Sequence, residues 1–248
     1  AASDVYKRQT MTPARCEFFQ NDVIFLGDMP ASTLSSRFCE MTKEFVGKFG
    51  GGLVVISGPR FGPSQLLATP IADMLPIIAD PNSRPVDKRE FRPKLTQDAA
   101  SVPFMQLGES PQESLKAWNN LGAVPWYQPA LRPHPFATVL LSHPTDVCAS
   151  DGQTRQPLIS IRRYGKGEVI YLAFNETWRM RRKYGELYYR QFWGQMIHRL
   201  GLSHALGSQK RFVVRTDRQR YKEEDRVILS CLLYTSDADD EGLGVDLA

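Results

Sequence analysis

The sequence predicts an α/β fold, a parallel sheet flanked by helices, followed by the opening strands of a β-sandwich. Three observations carry that expectation. Short apolar runs closed by turn residues, "DVIFLG" at 22–27 and "LVVISGP" at 53–59, read as buried strands with a helical repeat between them. Strand, helix and strand with both strands buried is the pattern of a parallel sheet. Beyond Gly207, "KRFVVRTDRQRYKEEDRVILS" changes to alternating apolar and charged residues with a charged turn, the pattern of early sandwich strands.

In order along the chain, Asp22 to Gly27 is the first strand, closed by the turn residues Gly-Asp-Met-Pro. Ser32 to Phe49 opens with Ser and Thr capping residues and repeats Leu34, Phe38, Met41, Phe45, Val46 and Phe49 at helical spacing, ending at Gly50-Gly51-Gly52. The second strand follows from Leu53. Gln65 to Leu75 reads as a short helix, and Pro76 to Pro103 as a polar, proline-rich excursion. A second excursion, to Pro135, carries Trp118, Trp126 and Tyr127, read as anchors against the core. Ala137 to His143 is a strand, and Pro157 to Phe174 is two strands around the hairpin signal Tyr164-Gly165-Lys166-Gly167. Gly185 to Leu200 closes the domain as a helix that buries Tyr188, Phe192, Met196 and Leu200.

The two ends of the chain are expected to be foreign to this fold. "AASDVYKRQ" can be encoded by an oligonucleotide whose opposite strand, read one base in, encodes Cys-Leu-Leu-Tyr-Thr-Ser-Asp-Ala, the start of the segment at Cys231. That coincidence looks like a transposase adapter, so residues 1–9 and 231–248 are read as adapter-derived. The expected division is then 10–207 for the α/β domain and 208–230 for the start of a sandwich domain. Of 31 basic and 27 acidic residues, removing Lys7, Arg8 and the six terminal acids leaves 29 against 21, a net charge of +8. Without a concentrated basic run, that balance gives no expectation of nucleic acid as a partner. No run approaches the roughly 18 apolar residues of a membrane helix. The remaining cysteines, Cys16, Cys39 and Cys148, are odd in number and lack C-x-x-C spacing, so neither a disulfide framework nor a zinc site is expected.

Four stretches, "NDVIFLGDMP", "FVGKFGGGLVVISGPR", "RRYGKGEVIYLAFNETWRMRR" and "YYRQFWGQMIHRL", together resemble the glutamine-amidotransferase-like domain of large bacterial membrane proteins that often also carry von Willebrand factor A domains. The resemblance covers Phe18 to Leu202. It implies a flavodoxin-like sheet of the class I amidotransferase superfamily, here lacking its first strand and helix. It further implies the company of other domains of a membrane-anchored parent, with this domain in the cell envelope on the periplasmic side.

The chemistry does not follow the resemblance, because a fold does not carry an activity by itself. Amide transfer needs a thiolate on a strand-to-helix turn and an imidazole to activate it. Where the resemblance would place the cysteine, the sequence runs Ser57-Gly58-Pro59-Arg60. Ser57 lacks the flanking glycines of a nucleophile elbow, having Val55 and Pro59 instead. Where active relatives carry a histidine and a glutamate, this chain has Asn175 and Glu176. No catalytic residue, cofactor or metal site is therefore expected.

Ligands of doubly wound sheets gather outside the carboxyl ends of the strands. Asp28, Arg60, Glu176, Trp178 and Arg179 fall there and are the candidate ligand-binding residues. Arg179, Arg181, Arg182 and Lys183 suit a carboxylate, a phosphate or an acidic surface. The competing reading spends Glu176 on Arg179 or Arg60 and leaves the other cations hydrated. Three functions stay open: a non-catalytic scaffold or interaction module; a binder or modifier of carbohydrate or another small polar ligand, of the trehalose-utilisation-like type; and recognition of anionic polymers through the cluster from Arg179 to Lys183.

Overall fold

The computed structural model describes residues 14–87, 89–119, 121–208, 212–216 and 229–233. The stretch 1–9, expected to be adapter-derived, and most of 208–248, with the expected sandwich start, lie outside them. After a single helical turn, α1 (Arg15–Phe18), the chain enters strand β1 (Val23–Leu26), helix α2 (Ser36–Phe49) and strand β2 (Gly52–Ile56). Helix α2 forms where the apolar repeat lies. The Ser35 hydroxyl accepts the Phe38 amide at 3.1 Å as its N-cap, and Gly50, with φ of 79°, ends it. Its inward face buries Phe38, Met41, Thr42, Phe45 and Val46.

The excursions that follow contain β3 (Ile77–Ala79), β4 (Lys94–Leu95), α3 (Pro111–Asn119) and β5 (Ala130–Pro133). Strands β6 (Ala137–Val147), β7 (Arg155–Tyr164) and β8 (Gly167–Leu172) come next. The 3-10 turn Glu176–Met180, the helical turn α4 (Arg181–Tyr184) and the long helix α5 (Leu187–Ser208) follow, and the first compact unit ends within α5, at His204. The main sheet has the order β1-β2-β8-β7-β6-β4. Strands β1, β2 and β8 are parallel, whereas β8, β7, β6 and β4 pair antiparallel.

The general α/β expectation holds, and the all-parallel sheet is corrected to a mixed one. The reason is local. Strands β7 and β8 are joined by Gly165 and Lys166, and a two-residue connection can only return the chain antiparallel. The helix expected over 65–75 is instead two 3-10 turns, Pro63–Leu66 and Ala72–Met74, because Pro70 cannot donate the amide a continuous helix needs. The closing helix runs past Leu200 to Ser208.

The excursions are fixed to the sheet by polar anchors. Arg162 donates to the Asp73 and Leu75 carbonyls at 2.8 and 3.2 Å, and the Trp118 indole donates to Met105 O at 2.8 Å. Buried Gln156 substitutes for a strand neighbour. Its side chain accepts the Ala130 amide and donates to the Ala130 carbonyl, both at 3.0 Å, which ties β5 to β7. Among the described residues no helix is long and apolar enough to cross a membrane.

Residues 205–248 form a second unit. In it β9 (Phe212–Thr216) and β10 (Leu229–Leu233) pair antiparallel, with Leu233 opposite Phe212. Strand β10 runs across position 231, where the adapter-coded stretch is expected to begin.

Candidate functional site

Because β1, β2 and β8 are parallel neighbours, their carboxyl ends bring Asp28, Ser57 and Glu176 to one rim of the sheet. The Asp28 oxygens are both engaged there. One accepts the Phe61 amide at 2.8 Å and the other accepts from the Arg60 guanidinium at 3.3 Å. Gly58 is required by close approach, since a Cβ on it would lie 2.0 Å from Asp28 Cγ. Asp28 thus clasps the turn in which the Gly58 amide donates to Phe61 O at 3.0 Å.

Ser57 lies beneath this turn, buried. Its hydroxyl donates to Tyr171 Oη at 3.1 Å, and Tyr171 in turn donates to the Gln128 carbonyl at 3.4 Å. Full burial pushes the Tyr171 phenol well above its ordinary range, so it is no base for Ser57. Gln128 is the seam of the rim. Its side-chain amide donates to Gly58 O at 3.1 Å and its backbone amide to Ala173 O at 2.8 Å, joining the ends of β2 and β8.

Glu176 and Arg179 form a second group on the turn after β8. Glu176 accepts from Arg179 Nε and, at 3.2 Å, from the Trp126 indole, while Arg179 donates to Ala123 O at 3.2 Å. Both side chains are largely covered, at 12% and 16% exposure. Trp178 faces the other way, 43% exposed, with the guanidinium carbons of Arg182 and Arg179 at 4.7 and 5.5 Å from its ring. Arg181 stacks on Tyr189 at 4.1 Å.

Among the five candidates, then, Asp28 pairs with Arg60 and Glu176 with Arg179, and the Arg179 guanidinium also lies over the Trp178 ring. Gln128 and Tyr171, which connect the strand ends, were not among the candidates. Gln128 has no sequence signal beyond being a polar residue after the aromatic pair Trp126-Tyr127. Tyr171 sits within an apolar strand and is indistinguishable there from core.

The buried thiols of Cys39 and Cys148 are held in the protonated, weakly nucleophilic form. Burial, reinforced by Asp151, pushes the Cys148 thiol up to about 11, and burial also raises that of Cys39. His143 sits between the rings of Phe91 and Tyr127, and its Nδ1 accepts the amides of Asp146 and Thr145 at 2.8 and 3.2 Å. Burial, with Arg155 adding to it against the opposing charge of Asp146, holds its pKa below the ordinary value. The His204 Nδ1 pairs with Asp22 at 3.0 Å. Among the described residues no group of three His, Cys, Asp or Glu side chains converges to hold a metal.

No protein-family model matches the chain, and no curated protein matches it. Solved structures do. A cytoplasmic protein of Salmonella typhimurium LT2 aligns with TM-score 0.56 at 16% identity, over 78% of this chain and 78% of its own. A second Salmonella typhimurium cytoplasmic protein aligns with TM-score 0.54 at 18% identity, over 77% of this chain and 76% of its own. A GH42 β-galactosidase aligns with TM-score 0.42 at 14% identity, over 81% of this chain but 24% of its own. The two Salmonella proteins share the fold of this chain.

The space at the rim decides what the arrangement can do chemically. The cavity between the ends of β1 and β2, lined by Leu26, Met29, Ser57, Phe61 and Leu66 among others, is about 20 Å³, room for one water. A larger hollow of about 540 Å³ lies at the other end of the sheet, where α2 meets Tyr164. Arg15, Arg37, Lys43, Lys48, Glu40 and Glu44 line it, and ion pairs from Arg15 and Lys48 to Glu44 and from Lys43 to Asp73 occupy most of these charges.

Proposed function

We propose that this chain is a non-catalytic, glutamine-amidotransferase-like scaffold or interaction module of a larger membrane-anchored envelope protein. One observation carries the reading: the rim where a nucleophile would work is closed by its own residues. Asp28, Ser57, Gln128 and Glu176 spend their polar atoms on the protein, and about 20 Å³ remains between the ends of β1 and β2. Catalysis needs a reacting group and a place for a substrate atom near it. Ser57 has no base beside it, and the cavity it lines has room for no more than one water. The outward face of the same region, Trp178 with Arg182 and Arg181 with Tyr189, supports contact with a partner surface that presents carboxylates. In this reading the partners are other domains of the parent protein, and the membrane anchor is theirs. Fractionation of the longer native protein tests the location: recovery in the membrane fraction agrees with the proposal, and recovery in the cytosol alone contradicts it.

A second reading is favoured by the exposure of Trp178, which offers an indole face to a sugar or another small polar ligand of the trehalose-utilisation-like type. Titration calorimetry with neutral oligosaccharides separates the two. Saturable binding abolished in Trp178→Ala supports the second reading, and no heat in either protein supports the first.

A further inference from the structure

We propose that His143 is a proton-operated latch on the rim: a proton taken up at Nδ1 frees the 143–146 bulge, then Tyr127, and with it the Gln128 seam across the ends of β2 and β8. Pairing of β6 with β7 steps from Ser142–Pro157 directly to Val147–Arg155, so residues 143–146 bulge out opposite Gln156 alone. The bulge is closed on one ring nitrogen. His143 Nδ1 accepts the Asp146 amide at 2.8 Å and the Thr145 amide at 3.2 Å, and only an unprotonated nitrogen can accept.

The same bulge holds the excursion before β5. Asp146 Oδ2 accepts the Tyr127 hydroxyl at 2.8 Å, and the His143 ring packs against Tyr127 and Phe91 with centroids 5.0 and 4.2 Å away. Both aromatic residues are bridged within the excursion, Tyr127 with Val86 and Phe91 with Val124. The residue after Tyr127 is Gln128, whose side chain donates to Gly58 O and whose backbone amide donates to Ala173 O.

Protonation reverses the polarity of the closure. Nδ1 becomes a donor facing two amide donors, and Asp146 Oδ1, 3.6 Å away, is the acceptor at hand. Turning Asp146 toward the imidazolium takes its carboxylate from Tyr127. Arg155, which reaches from β7 to the Thr145 carbonyl, adds a repelling charge. The Tyr127 phenol stays neutral, since burial and then Asp146 hold its pKa above the ordinary range, and the buried Cys148 thiol stays protonated. Glu90 and Arg92, beside Phe91, and Lys94, opposite Ser142 on β4, are exposed. The faces of Phe91 and Tyr127 attract a cation, so the protonated ring keeps its place and the opening is local. Burial favours the neutral ring, which leaves the latch closed at neutral pH and open in acid.

The latch rests on the Gln128 contacts and not on what the rim does, so it can fail while the proposed function stands. Two-dimensional 1H–15N NMR of the full chain between about pH 8 and about pH 4.5 tests it. In the wild type the amides of Thr145, Asp146, Gln128 and Gly58 are expected to shift with the midpoint of the His143 ring. Protection of the Gln128 amide, corrected for the intrinsic pH dependence of exchange, is expected to fall about tenfold, the weight of one hydrogen bond. His143→Asn puts a side-chain oxygen that does not titrate where Nδ1 stands, and Gln128 and Gly58 are then expected to hold their positions throughout. Tyr127→Phe at the upper pH is expected to move Gln128 toward its position in the acid wild type. Rim amides that stay still through the His143 titration, a ring that takes up no proton in this range, rim shifts that persist in His143→Asn, or a Gln128 unmoved by Tyr127→Phe overturns the proposal.

Discussion

Removing the Asp28 carboxylate takes the acceptor from the Phe61 amide and the counter-ion from Arg60 in one step. Only the first matters for stability, because Arg60 is 72% exposed and a surface pair contributes little. Asp28→Ala should therefore destabilise the fold by about 1–3 kcal/mol, the cost of an orphaned, partly buried amide. Asp28→Asn, which keeps one oxygen, should lose less; urea midpoints measure both. His143 predicts a pH dependence. Its folded pKa lies below the ordinary 6.5, so the folded state favours the neutral ring. That contribution is fully present above about pH 6.5 and is lost as pH falls toward the lowered folded value, because the unfolded chain takes up the proton first. Melting temperatures between pH 7.5 and 5 should fall more steeply for wild type than for His143→Gln. At this scale the sequence placed Asp28, Arg60 and Glu176 at the rim, but gave no sign that their charges are spent inward. Partner choice depends on Gln128 and Trp126, which lie 70 and 50 residues from the groups they bond.

The hairpin between β7 and β8 turns on Gly165, whose φ is 58° and whose absent Cβ would lie 2.3 Å from the Gly47 carbonyl oxygen. Gly165→Ala meets both a left-handed backbone and a backbone collision, so a cost of roughly 1–3 kcal/mol is expected. The melting temperature should drop accordingly, while Gly152→Ala, with φ of 65° but open space around it, should cost less. This hairpin and helix α2 were legible because their signals are local: a Gly-Lys-Gly turn, and an apolar repeat ended by glycine. The mixed sheet was not read as such, although the hairpin implied it. Buried strands look alike whether their neighbours run parallel or antiparallel. The short strands β3 and β5 inside the excursions were missed altogether. Three or four residues give no periodicity, and Gln156 holds β5 to β7 by a side chain.

Taken whole, the molecule is a mixed α/β sheet whose β2 and β8 ends are joined by Gln128, and the proposed function takes that rim as closed to a substrate. Absence of a cysteine after β2 and a histidine after β8 was legible in the residues themselves. Closure of the rim was not, because it arises from the excursion that carries Gln128 across the ends of β2 and β8. The central claim is that this rim performs no amide chemistry. Ammonia release from millimolar glutamine, followed for the wild type and for Ser57→Ala, tests it most directly. The account predicts that both proteins match the buffer alone; turnover in the wild type that disappears in Ser57→Ala would contradict it.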